Sequence, residues 1–175
     1  IAFQHAHPIY FYGQNYMGTV EAYIAAPFFH AAGASLFTLR LGLVVLFLLF
    51  MIVMYLLTTL LYSRKLAFVT LVILGLAPKD VLALQLTAIG GYPELPLFGA
   101  LMLLLASFLA LTMPDIATPV CTSKRRLSLY LLWAIVAGMG FWDDFLTLPF
   151  LLAGGLLLLL ACWREIRQPV VLCCL

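Results

Sequence analysis

Three short segments of this chain hold the side chains able to do chemistry. The first is Tyr10-Phe11-Tyr12-Gly13-Gln14-Asn15-Tyr16-Met17-Gly18-Thr19-Val20-Glu21. Its amides and tyrosine hydroxyls can hydrogen-bond a sugar, its rings can stack on a sugar's apolar faces, and Glu21 offers a base or a metal ligand. The same composition suits an interfacial loop whose tyrosines anchor it among lipid headgroups. The second is Gly90-Gly91-Tyr92-Pro93-Glu94. Two glycines and a proline mark a tight, non-helical turn. Pro93 holds Tyr92 extended, and Glu94 opens the next helix, as catalyst or as partner of the helix dipole. The third is Phe141-Trp142-Asp143-Asp144. Adjacent helical residues diverge by about 100°, so one aspartate can cap the following helix while the other faces a cavity.

These segments give Glu21, Glu94 and Asp143 as candidate catalytic acids. Tyr12, Gln14, Tyr16, Tyr92, Trp142 and Asp144 are candidate substrate-binding residues, joined by the cations Arg40 and Lys79. Arg40 sits about one turn inside a long apolar run, where a charge is costly and often functional. It can pair with an acid, bind a lipid phosphate, or snorkel to the interface, and Lys79 invites the same readings. His5 and His7 supply two ligands, too few for a metal site. Cys121, Cys162, Cys173 and Cys174 have no zinc-type spacing with histidine partners, and inert thiols are the simplest reading of them.

What must position these segments is a membrane. The chain is 66% hydrophobic and 9% charged, with a mean hydropathy of +1.16, against about 25% charged residues in a soluble domain. Arg64, Lys65, Lys124, Arg125, Arg126, Arg164 and Arg167 fall in three breaks between apolar runs, and Glu21, Asp80, Glu94, Asp143 and Asp144 fall in the breaks between those. Lys/Arg-rich short loops stay cytoplasmic, which gathers the acids on the far side. The net charge of +2 and the scattered cations give no patch for nucleic acid. The chain opens without Met and closes at Cys173-Cys174-Leu175, which reads as a fragment of a longer polytopic protein whose first helix lies upstream.

The expected fold is an all-α, polytopic transmembrane helix bundle in one partial domain. Residues 1–34 form an outer loop, with a short interfacial helix from Val20 that Gly33 closes. About five spans follow, near 36–62, 66–77, 96–113, 127–141 and 145–162; the first exceeds the roughly 20 residues a crossing needs, and 66–77 is short before Pro78. Residues 78–95 form an outer loop, unless the preceding helix continues past Pro78 toward Thr87. Residues 114–126 form the longest cytoplasmic loop, with Lys124-Arg125-Arg126 as a topology determinant and anionic lipid as a minor partner. Pro169–Leu175 begins a sixth span at most.

Read together, residues 8–40, with Ala26-Pro27-Phe28-Phe29, Gly33, Ser35 and Leu39-Arg40, resemble the first outer loop of bacterial membrane glycosyltransferases of the GT-C fold. These are related to the dolichyl-phosphate-mannose protein mannosyltransferases (glycosyltransferase family 39) and to the lipopolysaccharide-core transferases of rhizobia. Gly90-Gly91-Tyr92-Pro93-Glu94 with Phe98-Gly99, and Phe141-Trp142-Asp143 with Leu148-Pro149, resemble that group too. The resemblance implies a polyprenyl-phosphate-linked sugar as donor and a lipid, glycan or protein acceptor. It implies transfer on the extracytoplasmic face of a bacterial inner membrane, and it leaves a divalent metal cofactor open. It also places an acidic pair at the end of a helix upstream of Ile1, which makes Glu21 a secondary site residue and a fragment without that pair inactive alone. Two other classes suit the residues: a transporter or flippase subunit, which places ionisable groups near the midplane on broken helices, and a non-catalytic membrane scaffold. Convergence of Glu21, Glu94 and Asp143 on one outer cavity, with Arg40 or Lys79 nearby, favours the enzyme over both, and acids that point separately to solvent weaken it.

Overall fold

The computed structural model describes residues 10–11, 14–87, 91–113 and 124–167, with side chains for all of these except 11 and 14–17. Tyr12, His5, His7, Cys121, Cys173, Cys174 and the Pro169–Leu175 segment lie outside the described residues.

The chain is overwhelmingly helical. The exception is an antiparallel hairpin of β1 (Tyr10–Phe11) and β2 (Gln14–Gly18), pairing Tyr10 with Gly18 and Phe11 with Gln14. The sequence reading has a plain loop here. Helix α1 (Val20–Ala32) starts directly after the hairpin and ends at Gly33, whose φ of +81° a residue with a Cβ rarely adopts. Ser35 and Thr38 then form a reciprocal capping box at the start of α2 (Leu36–Leu61). Thr38 also donates its hydroxyl hydrogen to the Gly33 carbonyl at 2.9 Å, fixing the corner between the two helices. Gly42 of α2 lies under α1, where a Cβ would sit 3.2 Å from Ala25 Cα.

Helix α2 has 26 residues, about 39 Å at 1.5 Å per residue. It is the one described helix long and apolar enough by itself to cross a membrane. After Ser63, which caps the next helix through the Leu66 N–H, α3 (Arg64–Gly75) runs back along α2. The segment after Pro78 is neither a loop nor a continuation. It forms α4 (Lys79–Gln85), turned 90° from α3, because Pro78 cannot donate to the preceding turn and disfavours helical backbone before it. Then come α5 (Leu95–Leu111), α6 (Lys124–Asp143), a 3-10 turn (Phe145–Thr147), α7 (Leu148–Ala161) and the short α8 (Trp163–Ile166). Helix α5 and the stretch Phe145–Ala161 are apolar but shorter than α2.

Helix α5 is the centre, packing on α2, α6 and α7. One apolar cluster joins α5 to α6 and α7 through Phe98, Met102, Leu109, Trp133, Val136 and Leu158. A second joins it to α2 through Leu43, Leu46, Val53 and Leu97. Close approach rests on small residues, as expected where helices meet without water: a Cβ on Gly99 would lie 2.8 Å from the Phe150 ring, and one on Gly140 2.8 Å from Met102 Cε. The Trp133 indole N–H donates to the Met102 carbonyl at 3.1 Å. Outward, large apolar side chains such as Leu48, Ile52, Leu56, Phe68, Ile73 and Leu160 remain exposed.

The chain directions sort the charges. Arg64, Lys65, Lys124, Arg125, Arg126, Arg164 and Arg167 lie where α2, α5 and α7 end and α3 and α6 begin. Glu21, Glu94, Asp143 and Asp144 lie at the opposite ends of those helices. Among the described residues one acid breaks the segregation expected from sequence. Glu165 is at the basic end, fully buried, and its carboxylate accepts from Arg126 Nη2 at 2.7 Å, from Arg126 Nε at 2.9 Å and from the Tyr130 hydroxyl at 2.7 Å. Arg126 also donates to the Leu109 and Thr112 carbonyls at 3.0 Å each, closing the C-terminal turn of α5. Arg126 is therefore a structural clamp as well as part of a basic loop.

Candidate functional site

Three backbone junctions meet at the acidic end of the bundle. The first is the step from β2 into α1, the second the turn into α5, the third the end of α6. Each delivers a carboxylate. Glu21 is in the first turn of α1, Glu94 is the residue before α5, and Asp143 ends α6. All three are buried, Glu94 to 0% exposure, Asp143 to 1% and Glu21 to 5%. Two glycines allow the junctions to touch. A Cβ on Gly18 would sit 2.6 Å from Asp143 Oδ1 and 2.7 Å from Asp143 Cα. Gly91 has φ +69°, and a Cβ there would sit 2.7 Å from Asp144 Oδ2. β2 packs along α6, and the 3-10 turn packs against α5.

The two aspartates have different tasks. Asp144 caps the 3-10 turn, its Oδ1 accepting from the Leu146 N–H at 2.8 Å while its carbonyl accepts the Thr147 hydroxyl at 2.7 Å. Asp144, expected as a binding residue, is thus occupied in shaping the turn into α7. Asp143 points the other way, into the cluster. Neither Asp143 nor Glu94 completes a hydrogen bond of ordinary geometry among the described residues, through either carboxylate oxygen.

Both carboxyls lie just beyond the apolar runs 96–113 and 127–141, and both are hard to ionise. Burial pushes Glu94 up to about 8, with the charges of Asp143 and Glu21 adding to it. Burial likewise pushes Asp143 up to about 7, with Asp144 and Glu21 adding. The Val20 N–H near Asp143 and the Glu21 N–H near Glu94 oppose the rise. These are the first amides of α1, at the positive end of its dipole. A buried charge next to like charges favours the neutral acid, and here the amides offset only part of that.

The remaining expected residues spread around this cluster. Tyr92 is 38% exposed. Trp142 is half-buried, its ring centroid 6.3 Å from that of Tyr10. Gln14 and Tyr16 lie on β2, which brings their backbone beside α6. The cations are not in the cluster. Lys79 is exposed at the start of α4. Arg40 makes no ion pair among the described residues; it lines a separate groove of about 370 Å³ between α2 and α4, with Phe37, Leu41, Val44 and Leu86. The expected pairing of Arg40 with an outer acid is therefore absent there, because α2 places it on the side facing α4. Among the described residues no three His, Cys, Asp or Glu side chains are placed to hold one metal ion.

Sequence reasoning missed Gly18 and Gly91 as contact points and Thr147 as a buried partner of Asp144. It missed the Arg126–Glu165–Tyr130 network entirely. Glu165, an acid between Arg164 and Arg167, was the available signal. Comparison with family models, with curated proteins and with solved structures finds no match to this chain.

Chemically, the cluster holds carboxyl groups that exchange a proton near neutral pH. That is the condition a general acid or base needs at physiological pH.

Proposed function

We propose that this chain is part of an integral membrane glycosyltransferase that moves a sugar from a polyprenyl-phosphate donor to an acceptor on the extracytoplasmic face. One observation carries the reading: Glu21, Glu94 and Asp143, from three separate segments, meet in one buried cluster at the end of the bundle opposite the cations. A scaffold has no use for the Glu94 and Asp143 carboxyls, which lack hydrogen-bond partners among the described residues, since each such buried group is destabilising. The resemblance of the segments carrying these acids to membrane glycosyltransferases supplies the reaction class. The apolar runs after α2, with exposed Phe68, Ile73 and Leu160, complete the proposed set of about five spans.

In the reaction proposed, the acceptor oxygen attacks the anomeric carbon and the bond from that carbon to the donor phosphate oxygen breaks. The acceptor's proton passes to a carboxylate, and polyprenyl phosphate leaves with the bonding pair. Asp143 is the base, because its pKa near 7 leaves a substantial ionised fraction at neutral pH. Glu94, higher at about 8, is mainly the neutral acid and donates a hydrogen bond. Arg40 stands in a separate apolar groove between α2 and α4, and its proposed role is contact with the lipid part of the donor and not with the carboxyl cluster.

The test is a transfer assay in membranes with radiolabelled polyprenyl-phosphate sugars. Asp143→Asn is expected to lower the rate by about 10²–10⁴-fold with the protein level unchanged. Full transfer by that variant would sink the reading. The burial of Glu94 and Asp143, which have no hydrogen-bond partner among the described residues and titrate near neutrality, favours one rival, a proton-coupled transporter. That rival predicts no transfer and a proton-gradient-dependent uptake lost with Asp143→Asn.

A further inference from the structure

The end of the bundle away from the acids carries a groove that the proposed chemistry leaves unused. Its floor is α5, through Leu104 and Phe108. One wall is α2, through Leu56 and Thr59, and the other is the start of α6, through Leu129 and Arg125. Its volume is about 440 Å³, within the range of about 300–1,000 Å³ typical of small-molecule sites. Phe108 is 14 positions beyond Glu94 along α5, so the groove lies about 21 Å from the acid cluster.

Its polar groups are two and differ in kind. Arg125 is exposed at the rim and makes no ion pair among the described residues, unlike its neighbour Arg126, which is committed to Glu165. Thr59 Oγ1 is buried without a hydrogen-bond partner among the described residues. A helical threonine ordinarily bonds the carbonyl one turn back, so this hydroxyl has a donor to spare. Everything else lining the groove is aliphatic or aromatic. An unpaired cation at the mouth, a free hydroxyl below it and an apolar trough is the order of chemistry met along a phospholipid: phosphate, ester carbonyl, acyl chain. Other cations stand at this end, including Arg64, Lys65 and Lys124, and basic pockets between helices on the cytoplasmic side take anionic headgroups.

We propose that this groove is a binding site for one anionic phospholipid of the cytoplasmic leaflet. Arg125 meets its phosphate, Thr59 donates to an ester carbonyl, and one acyl chain lies over Leu104 and Phe108. The inference rests on insertion of α2 in a membrane and not on glycosyl transfer.

The experiment is native mass spectrometry of the full chain, released from mixed micelles holding phosphatidylglycerol and phosphatidylcholine in equal amounts. The wild type is expected to retain phosphatidylglycerol in excess. Arg125→Gln should lower that excess about fivefold, the contribution of one lipid-facing cation. Thr59→Val should weaken retention with the headgroup preference kept, and Leu104→Trp, which fills the trough, should remove bound lipid of both kinds. Lys124→Gln, which alters a cation of this end outside the groove lining, should lower the excess less than Arg125→Gln does. Equal retention of the two lipids by the wild type overturns the proposal, as does an Arg125→Gln variant with an unchanged excess, or a Lys124→Gln variant that loses as much as Arg125→Gln. Release of the protein from membranes by alkaline carbonate would overturn it together with the membrane reading. Loss of transfer activity in Asp143→Asn has no bearing on any of these outcomes.

Discussion

Stability should fall as pH rises through neutrality, and Glu94 should be a main cause. The sign follows from the direction of the shift. Glu94 is held at about 8 in the fold and titrates near 4.5 when exposed. Between those values the folded state binds more protons than the unfolded state, so unfolding free energy decreases with pH. Below about pH 4.5 the carboxyl is neutral in both states and the term vanishes. Above about 8 it is ionised in both, and the full cost is present. The interval is about 3.5 pH units at about 1.36 kcal/mol each, so ionising Glu94 costs on the order of 5 kcal/mol. Asp143, raised from 3.8 to about 7, adds a term of the same sign. The two titrate as a coupled set, so their costs do not simply add. The assay is thermal unfolding in detergent or nanodiscs at constant ionic strength from pH 5 to pH 9. For a chain of this size, 1 kcal/mol corresponds to about 2–4 °C, so the wild-type midpoint should drop by about 10 °C or more. Glu94→Gln keeps shape and removes the titration: it should match the wild type near pH 5, exceed it at pH 9, and halve the slope. Glu94→Gln with Asp143→Asn should flatten the profile. A wild-type midpoint constant over this range, or a double variant as steep as the wild type, would refute the reasoning and with it the picture of a neutral, uncompensated acid cluster.

The remaining outcomes follow from the packing and bonds of named residues. Gly18→Ala should destabilise by about 1–3 kcal/mol in denaturant melts, because its Cβ would meet the Asp143 backbone; Gly138→Ala in α6, with open space around it, should be neutral or slightly stabilising in the same melts. Arg126→Gln should cost about 3–5 kcal/mol and lower the folded yield, since it leaves the fully buried Glu165 carboxylate without its counter-ion. Adding Glu165→Gln to that variant should recover part of the loss. Trp133→Phe should cost about 1 kcal/mol, read as a small midpoint shift with no change in the pH profile, because it removes the bond to the Met102 carbonyl far from the acids.

Much of the fold was legible because apolar runs and their interruptions are strong signals. Gly33 closes α1 and Ser35 opens α2, as the residue types suggest. Most of the end-to-end sorting of acids and bases was readable from loop composition, but the place of Glu165 at the basic end was not. The hairpin at Tyr10–Gly18 was not, because its strands are short and its aromatic and amide residues lack an alternating pattern. The right-angle turn into α4 was not, because a proline signals a break without giving the direction of the chain after it. The meeting of Glu21, Glu94 and Asp143 was expected as one part of the condition on the enzyme reading; the other part, an outer cavity with Arg40 or Lys79 beside it, is not met among the described residues. What sequence could not supply was the reason the junctions fit together. Gly18 and Gly91 face aspartates that lie more than 50 positions away, and a glycine in a loop carries no label of its distant neighbour.

The two ends of the bundle treat buried acids in opposite ways, and the contrast bears on what each end is for. Glu165 is as inaccessible as Glu94, yet it has a guanidinium, a phenol and short bonds of 2.7–3.0 Å. A buried ion pair repays its desolvation only when geometry is good and the remaining lone pairs are satisfied, and this one meets that condition while tying α5, α6 and α8 together. Glu94 and Asp143 have no such partner among the described residues. Arg40 stands on α2, whose first turns pack under α1, but the helix turns its guanidinium toward α4. Pairing Arg40 with these acids would have pulled their pKa values down and made them inert at neutral pH. Leaving the cation in a separate groove keeps the carboxyls near 7 and 8, where a proton moves easily, and keeps the positive charge available to an anion. The basic end thus has the compensated acid and the acidic end the uncompensated ones, and because Arg40 stands apart from Glu94 and Asp143, any chemistry at this end rests on the carboxyls and not on a cation beside them.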